Sequence, residues 1–366
     1  MPLRTRPPDR QDEILAYLRQ RILSGALRPG AKLPTRGEVV RRFAASCTTV
    51  QRAFERLMEE GFVESSSRSG TFVSSRPPHL HRFGLVFPAA PGDGNWVRLW
   101  SVLAHVAPEV GRRRGCRIAT YLGANAREPG RDFAALLRDV QARALAGVIF
   151  ATPPDLVAGT PIVDRPGIPR VMLTAHPPKE AMDAVLLDMS AFVGRALDRL
   201  VARKRRRVAV IVVPGHLGIP LLEQEMASRG LEYRPHRIQM MTQEFAPWTS
   251  NLAQLLLHGP ARERPDGLLV VDDNLVEYAC QGLLAEGLRI PRDLDVIAHC
   301  NFPAPAVNVL PVARLGFDLR QTLEVCLDVL GRQRRGTASG SLTTIEPRFE
   351  WELDEGRASV VPLAAV

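Results

Sequence analysis

The chain has 366 residues, 45% apolar and 24% charged, a length and mix that suit two or three soluble globular domains and exclude a collagenous or wholly disordered chain. Its net charge of +9 is unevenly placed: residues 1–82 carry 15 Lys/Arg against 8 Asp/Glu and the remainder 33 against 31, so the excess that a polyanion would meet lies at the front. Five cysteines without paired spacing point to a reducing compartment, no apolar stretch follows the N-terminus, and runs such as Val208–Val213 are too short to span a bilayer, so a cytoplasmic location is expected.

Met1–Pro8 is rich in Arg and Pro and reads as a disordered arm. Ile14, Leu15, Leu18, Ile22 and Leu23 then repeat at helical spacing up to Gly25, and Pro29-Gly30 marks a turn. Thr35 with Glu38 forms a capping box, which predicts a helix carrying Val39, Val40 and Phe43. Ser46 caps the next helix, whose Val50, Ala53, Phe54 and Leu57 share one face; Gly61 ends it. Phe62-Val63 and Phe72-Val73 are then placed to pair across a polar turn with Arg68 at its tip. Two short helices with a Thr-, Gln- and Arg-rich outer face, followed by a hairpin, make the shape that enters a major groove.

These residues resemble the GntR-type winged helix-turn-helix regulators from about Asp9 to Ser74, through Gly25, Leu27, Pro29-Gly30, Leu33-Pro34, Glu38, Thr49-Val50, Arg52-Ala53, Leu57, Gly61 and Gly70-Thr71-Phe72-Val73. The resemblance implies double-stranded DNA as partner, a pseudo-palindromic operator and a homodimer. Contacts are implied for Thr35, Arg36, Ser46, Cys47, Thr48, Thr49, Gln51, Arg52 and Gly70, with Arg68 at the wing tip. Three positions depart from the family: Gly37 stands where an Arg is usual, and Cys47 and Gln51 replace two recognition-helix arginines. Since Gln pairs with adenine and Arg favours guanine, the operator is expected to differ from the usual one.

Ser74–Arg82 reads as a semi-stiff linker around Pro77-Pro78, unlike a helix that enters the minor groove. Its His79 and His81 have no further ligand at metal spacing, so no metal is expected. From Phe83 strand-like and helix-like runs alternate. Strands are predicted at Phe83–Phe87, Arg117–Tyr121, Gly147–Phe150, Arg170–Thr174, Val208–Val213, Gly267–Val271 and Leu294–Ala298. Helices are predicted at Trp96–Arg113, Phe133–Ala144, Met189–Arg203, Leu221–Arg229 and Leu275–Glu286. Alternation of this kind predicts an α/β fold with parallel sheets covered by helices on both faces.

The order and spacing of Gly147-Val148-Ile149, Ile168-Pro169, Asp188, Arg206–Val210, Pro265-Asp266-Gly267, Val271-Asp272-Asp273 and Gly287–Asp293 resemble the periplasmic-binding-protein-like sensor of LacI-type regulators over most of 83–353, with 354–366 left as a tail. The combination is arabinose-repressor-like. It implies two lobes, two parallel sheets flanked by helices, and a small-molecule effector, carbohydrate in many members, between the lobes. Carried over by position, Asp93, Asn95, Trp96, Asp188, Trp248, Asp272 and Asn274 fall in the effector site, with Trp100 a weaker choice and His216 at a strand end beside them. The sugar-clamping Arg is missing from Ile219–Gly230, and Cys300, followed by Asn301, replaces the usual acid after the Leu294–Ala298 strand. These losses leave open a sensor-like domain that serves dimerisation only.

An enzyme is not expected, and neither is a cofactor. Some GntR-type readers are joined to a pyridoxal-phosphate enzyme-like domain that needs a Schiff-base lysine, and only Lys179 and Lys204 follow the reader here. No nucleophile, metalloprotease or phosphate-loop motif appears.

Overall fold

The computed structural model describes residues 9–66, 69–178, 182–306, 309–336 and 340–353. The expected arm at 1–8, the tail at 354–366, Arg68 and Lys179 lie outside them. Among the described residues no helix is long and apolar enough to cross a membrane.

The front of the chain forms α1 (Arg10–Leu23), α2 (Arg36–Phe43), α3 (Cys47–Glu59) and the antiparallel hairpin β1 (Val63–Ser66) and β2 (Gly70–Val73). Each helix start is chemically determined. Asp9 accepts from the Asp12 amide, Thr35 and Glu38 exchange bonds in a complete capping box, and Ser46 accepts from the Thr49 amide at 3.1 Å. Ala44, in the left-handed region at φ 47°, turns the chain between α2 and α3. Ile14, Leu18, Val50, Phe54, Leu57 and Phe62 fill the core, each contributing roughly 1.5–3 kcal/mol by leaving water.

The linker contains one helical turn, α4 (Pro78–His81), where the sequence predicts only a stiff connection. Its His79 ring stacks on Phe62 of the front domain at 5.8 Å. Burial first, then the charge of Arg334, depresses the His79 pKa to about 4. The front domain is docked on the rest of the chain: Arg76 donates to the Gly115 carbonyl at 2.8 Å, and Ala142 and Ala144 belong to the front domain's own apolar cluster.

The first lobe contains β3 (Arg82–Val86), α5 (Arg98–Arg113), β4 (Arg117–Tyr121), α6 (Phe133–Gln141), β5 (Gly147–Phe150), α7 (Pro161–Asp164), β6 (Arg170–Thr174) and β7 (Asp183–Leu187). After α8 (Met189–Ala202) the second lobe contains β8 (Val208–Val212), α9 (Ile219–Ala227), β9 (Ile238–Met240), α10 (Thr249–Leu255), β10 (Gly267–Val270), α11 (Asp273–Ala285), β11 (Asp295–Phe302) and β12 (Ala313–Asp318). The chain then returns through α12 (Leu319–Arg334) to β13 (Leu342–Ile345) in the first sheet and ends in β14 (Arg348–Phe349) in the second. The sheets run β13-β7-β6-β5-β3-β4 and β14-β12-β11-β10-β8-β9. Every pairing in them is parallel except β12 with β14.

Strands β5, β8 and β10 are buried at every residue, as parallel strands covered on both faces must be. One apolar cluster runs through both lobes by way of α5, α8 and α12, while separate clusters cover the outer faces of the two sheets. Beyond the predicted elements the structure adds α7, β7, β9, α10, β12, α12, β13 and β14. Strand β11 also continues to Phe302, past the predicted end at Ala298: His299 and Asn301 are polar, but tertiary packing encloses them. Alternation along it places Ile297 on the shared core and Val296 and Ala298 on the outer one.

Gly316 is required by close strand approach, since a Cβ there would lie 1.7 Å from the Cys300 carbonyl oxygen. Gly316→Ala is expected to cost about 3 kcal/mol in urea unfolding. Gly94→Ala, which meets nothing within 4 Å, should stay near neutral.

Candidate functional sites

The first candidate site is the outer surface of the front domain. Val50, Ala53, Phe54 and Leu57 turn inward from α3, so Cys47, Thr48, Arg52 and Glu55 are exposed and Gln51 and Thr49 half-exposed. Ser46 and Thr49 are committed to the helix cap and joined by a 2.8 Å bond between their hydroxyls. Thr35 is likewise the cap of α2. The Arg36 guanidinium lies over the Phe54 ring at 5.2 Å, which brings the start of α2 against α3. Gly70, at φ 109°, begins β2 beside Lys32.

Among the described residues Lys32, Arg36, Arg41, Arg42 and Arg52 make no ion pair, whereas Arg10, Arg19 and Arg56 do. Unpaired exposed cations around a protruding helix are free to contact phosphates without first breaking an internal pair.

The second candidate site is a cavity of about 460 Å³ between the lobes, in the size range of small-molecule pockets. It is walled by residues at the carboxyl ends of β5, β6, β8, β10, β11 and β12. Apolar surfaces come from Trp100, Leu173, Met189 and Phe317, and among the described residues no Lys or Arg lines it.

Asp272 organises the polar wall. Its Oδ1 accepts from the Asn274 amide at 2.8 Å and from Asn274 Nδ2 at 2.7 Å. Its Oδ2 accepts from Gln243 Nε2 at 3.0 Å and faces His216 Nδ1 at 3.1 Å. Burial works to raise its pKa, but the His216 and Asn274 contacts outweigh it and the group stays acidic. Asp273 goes the other way: burial, then the charge of Asp272, raise its pKa, although Asn301 Nδ2 donates to it at 2.7 Å. Asn274 Oδ1 accepts from the Arg98 amide of the first lobe at 3.0 Å, and His176 Nε2 lies 2.5 Å from the Gly215 carbonyl oxygen; both contacts join the lobes.

Among the described residues Asn301 Oδ1 and His299 Nδ1 are buried without a partner, a cost of roughly 1–3 kcal/mol per group; a donor would satisfy the amide oxygen, and a donor or an acceptor, according to tautomer, the ring nitrogen. Burial also lowers the His299 pKa to about 4, which keeps the ring neutral.

Of the residues predicted for this site, Asn95, His216, Asp272, Asn274 and Asn301 line the cavity, as does Trp100. Five do not. Asp93 accepts from the Ala90 amide at 2.7 Å within its own turn, and Asp188 caps α8 through the Ala191 amide. Trp96 packs on Phe87 and Trp100 and donates to Ser101, one layer behind the wall. Cys300 is buried on the opposite side of β11 from His299 and Asn301, because neighbouring strand residues alternate. Trp248, at the start of α10, is 64% exposed and turned away.

Thr152, Thr174, His176, Gln243, Asp273 and Phe317 line the cavity without having been placed in the site, and His299, at a strand end like His216, lines it too. The rule that ligands gather at strand carboxyl ends would have found Thr152, Thr174 and His176; Phe317 lies on a strand that was not read. Lys204 sits exposed just beyond α8, away from the cavity.

The raised Asp273 pKa sets a sign for pH dependence. Folding retains a proton that the unfolded carboxylate has lost, so this contribution is full below the unfolded pKa of about 3.9 and is lost as pH rises through the raised folded value. Asp273→Asn is expected to raise Tm by a few degrees relative to the parent at pH 8 and to change little near pH 4, in calorimetric scans across that range.

Comparison with known proteins extends these geometries. Residues 10–73 match the family of bacterial regulatory proteins described as gntR, and residues 197–339 match the periplasmic binding protein-like domain. The arabinose metabolism transcriptional repressor of Geobacillus stearothermophilus is 24% identical over 311 residues, 80% of this chain and 81% of that one. A LacI-family regulatory protein from Chloroflexus aggregans superposes with a TM-score of 0.59 at 15% identity, covering 73% of this chain and 96% of its own. A LacI-family regulator from Arthrobacter sp. FB24, solved in complex with lactose, superposes with a TM-score of 0.57 at 18% identity over 74% and 97% of the two chains.

Proposed function

Since the chain is a transcriptional regulator that joins a GntR-type DNA-binding domain to a periplasmic-binding-protein-like domain, we propose that it represses transcription as a homodimer in the cytoplasm and leaves its operator when an uncharged, hydroxyl-rich molecule, a sugar above all, binds between the lobes. The reader extends to residue 74, the linker covers 75–82, and the sensor covers 83–353. The observation that carries the reading is the cavity wall: Asp272 with its bonded amides at one side, the unpartnered Asn301 oxygen, and apolar faces from Trp100 and Phe317. Among the described residues a phosphate or carboxylate placed there would meet the buried Asp272 charge and no Lys or Arg side chain in the cavity wall, which disfavours an anion. Hydroxyl donors meet acceptors, and a sugar ring's apolar face meets the aromatic walls.

Such a ligand acts by differential affinity. It stabilises the lobe arrangement that closes on it, and the linker and docked reader carry that change to the spacing of two readers on a two-fold operator. The LacI-type regulator that holds lactose and the arabinose metabolism repressor support the carbohydrate class.

Thermal-shift screening against neutral sugars, sugar phosphates, nucleosides and amino acids checks the proposal. A neutral sugar at about 100 times its Kd should stabilise the chain by roughly 2.7 kcal/mol and weaken operator binding in a gel-shift assay. Asp272→Asn should lose the response to the sugar and keep DNA binding. Stabilisation by sugar phosphates instead, or by none of the compounds, would overturn the effector assignment.

A further inference from the structure

We infer that Gln51, held in place by Glu55, selects an adenine at one position of each operator half-site. The inference rests on the reading of the front domain as a major-groove reader and deepens it. Gln51 lies on the outer side of α3, one turn inside its start, and its Nε2 donates to Glu55 Oε1 at 2.8 Å across one helical turn. Glu55 is exposed on a surface rich in arginines, yet among the described residues it makes no ion pair. With one amide hydrogen given to Glu55, the orientation of the Gln51 amide is fixed. The second hydrogen and the amide oxygen then present a donor and an acceptor side by side.

Adenine offers the complementary pair in the major groove, an N7 acceptor beside an N6 amino donor. Guanine offers two acceptors, N7 and O6, so the Gln51 oxygen would face O6 across a repulsive contact. The Glu55 carboxylate acts in the same direction, because an anion at the base edge favours amino donors and disfavours guanine O6 and thymine O4. Arg52, the next residue, points about 100° further round the helix and among the described residues has no acidic partner, which suits a phosphate contact that positions the helix.

The experiment is selection from a random-sequence duplex pool with the full chain, repeated with Gln51→Arg and Glu55→Ala, with Tm confirming that each variant is folded. The parent should enrich adenine at one symmetry-related position, by roughly tenfold or more over guanine. Gln51→Arg should convert that position to guanine and leave the others unchanged, and Glu55→Ala should narrow the preference. A parent that already prefers guanine at every position that responds to Gln51→Arg, no position that responds, or an undiminished preference in Glu55→Ala would overturn the inference. Failure of the folded parent to enrich any sequence would instead overturn the DNA-reading proposal beneath it.

Discussion

The Asp272 carboxylate is the contact on which the two-lobed half of this molecule depends. It caps α11, fixes Asn274 and Gln243, and faces His216. Through Asn274 it reaches the Arg98 amide of the opposite lobe. Buried charge of this kind is tolerated only when its lone pairs are met, and here four contacts meet them. The neighbouring Asp273 shows the limit of the arrangement: a second full charge beside the first is disfavoured, and that carboxyl holds its proton more tightly. One anion and several fixed amides therefore define the polar character of the cavity.

At the front of the chain the arrangement of charge is the reverse. Among the described residues Lys32, Arg36, Arg41, Arg42 and Arg52 are left without acidic partners, while Arg10, Arg19 and Arg56 pair with Glu13, Glu60 and Asp12. Arg19 is thus committed inside the fold, while Lys32, Arg36 and Arg52 are left free where a polyanion would approach. The reader also shares apolar surface with the first lobe through Ala142 and Ala144, and its Phe62 is stacked by a linker histidine. It is packed against the sensor rather than hung from it.

Much of this was legible in the sequence where local chemistry decides the outcome. The Thr35–Glu38 box and the Ser46 cap start helices wherever they occur, and fully apolar runs such as Val208–Val212 have few alternatives to a covered parallel strand. Residues whose environment is made by distant parts of the chain were not legible. The sequence places Asn301 in the site but as loop rather than strand, since the enclosure of His299 and Asn301 comes from the rest of the lobe, and β12, α12 and β13 depend on crossings between lobes. The cavity was located by strand ends, yet spacing alone does not say which way a loop turns. Trp248 faces outward for that reason, and Phe317 entered from a strand that spacing did not reveal.

Helix α12 follows directly on Phe317 and Asp318, spans about 24 Å, and in its last turn gives an Arg334 hydrogen bond to the Leu80 carbonyl of the linker. It is packed along its length into the common core, and close-packed interiors compress very little. The helix is therefore one continuous, close-packed connection whose near end stands beside the pocket and whose far end holds the tether.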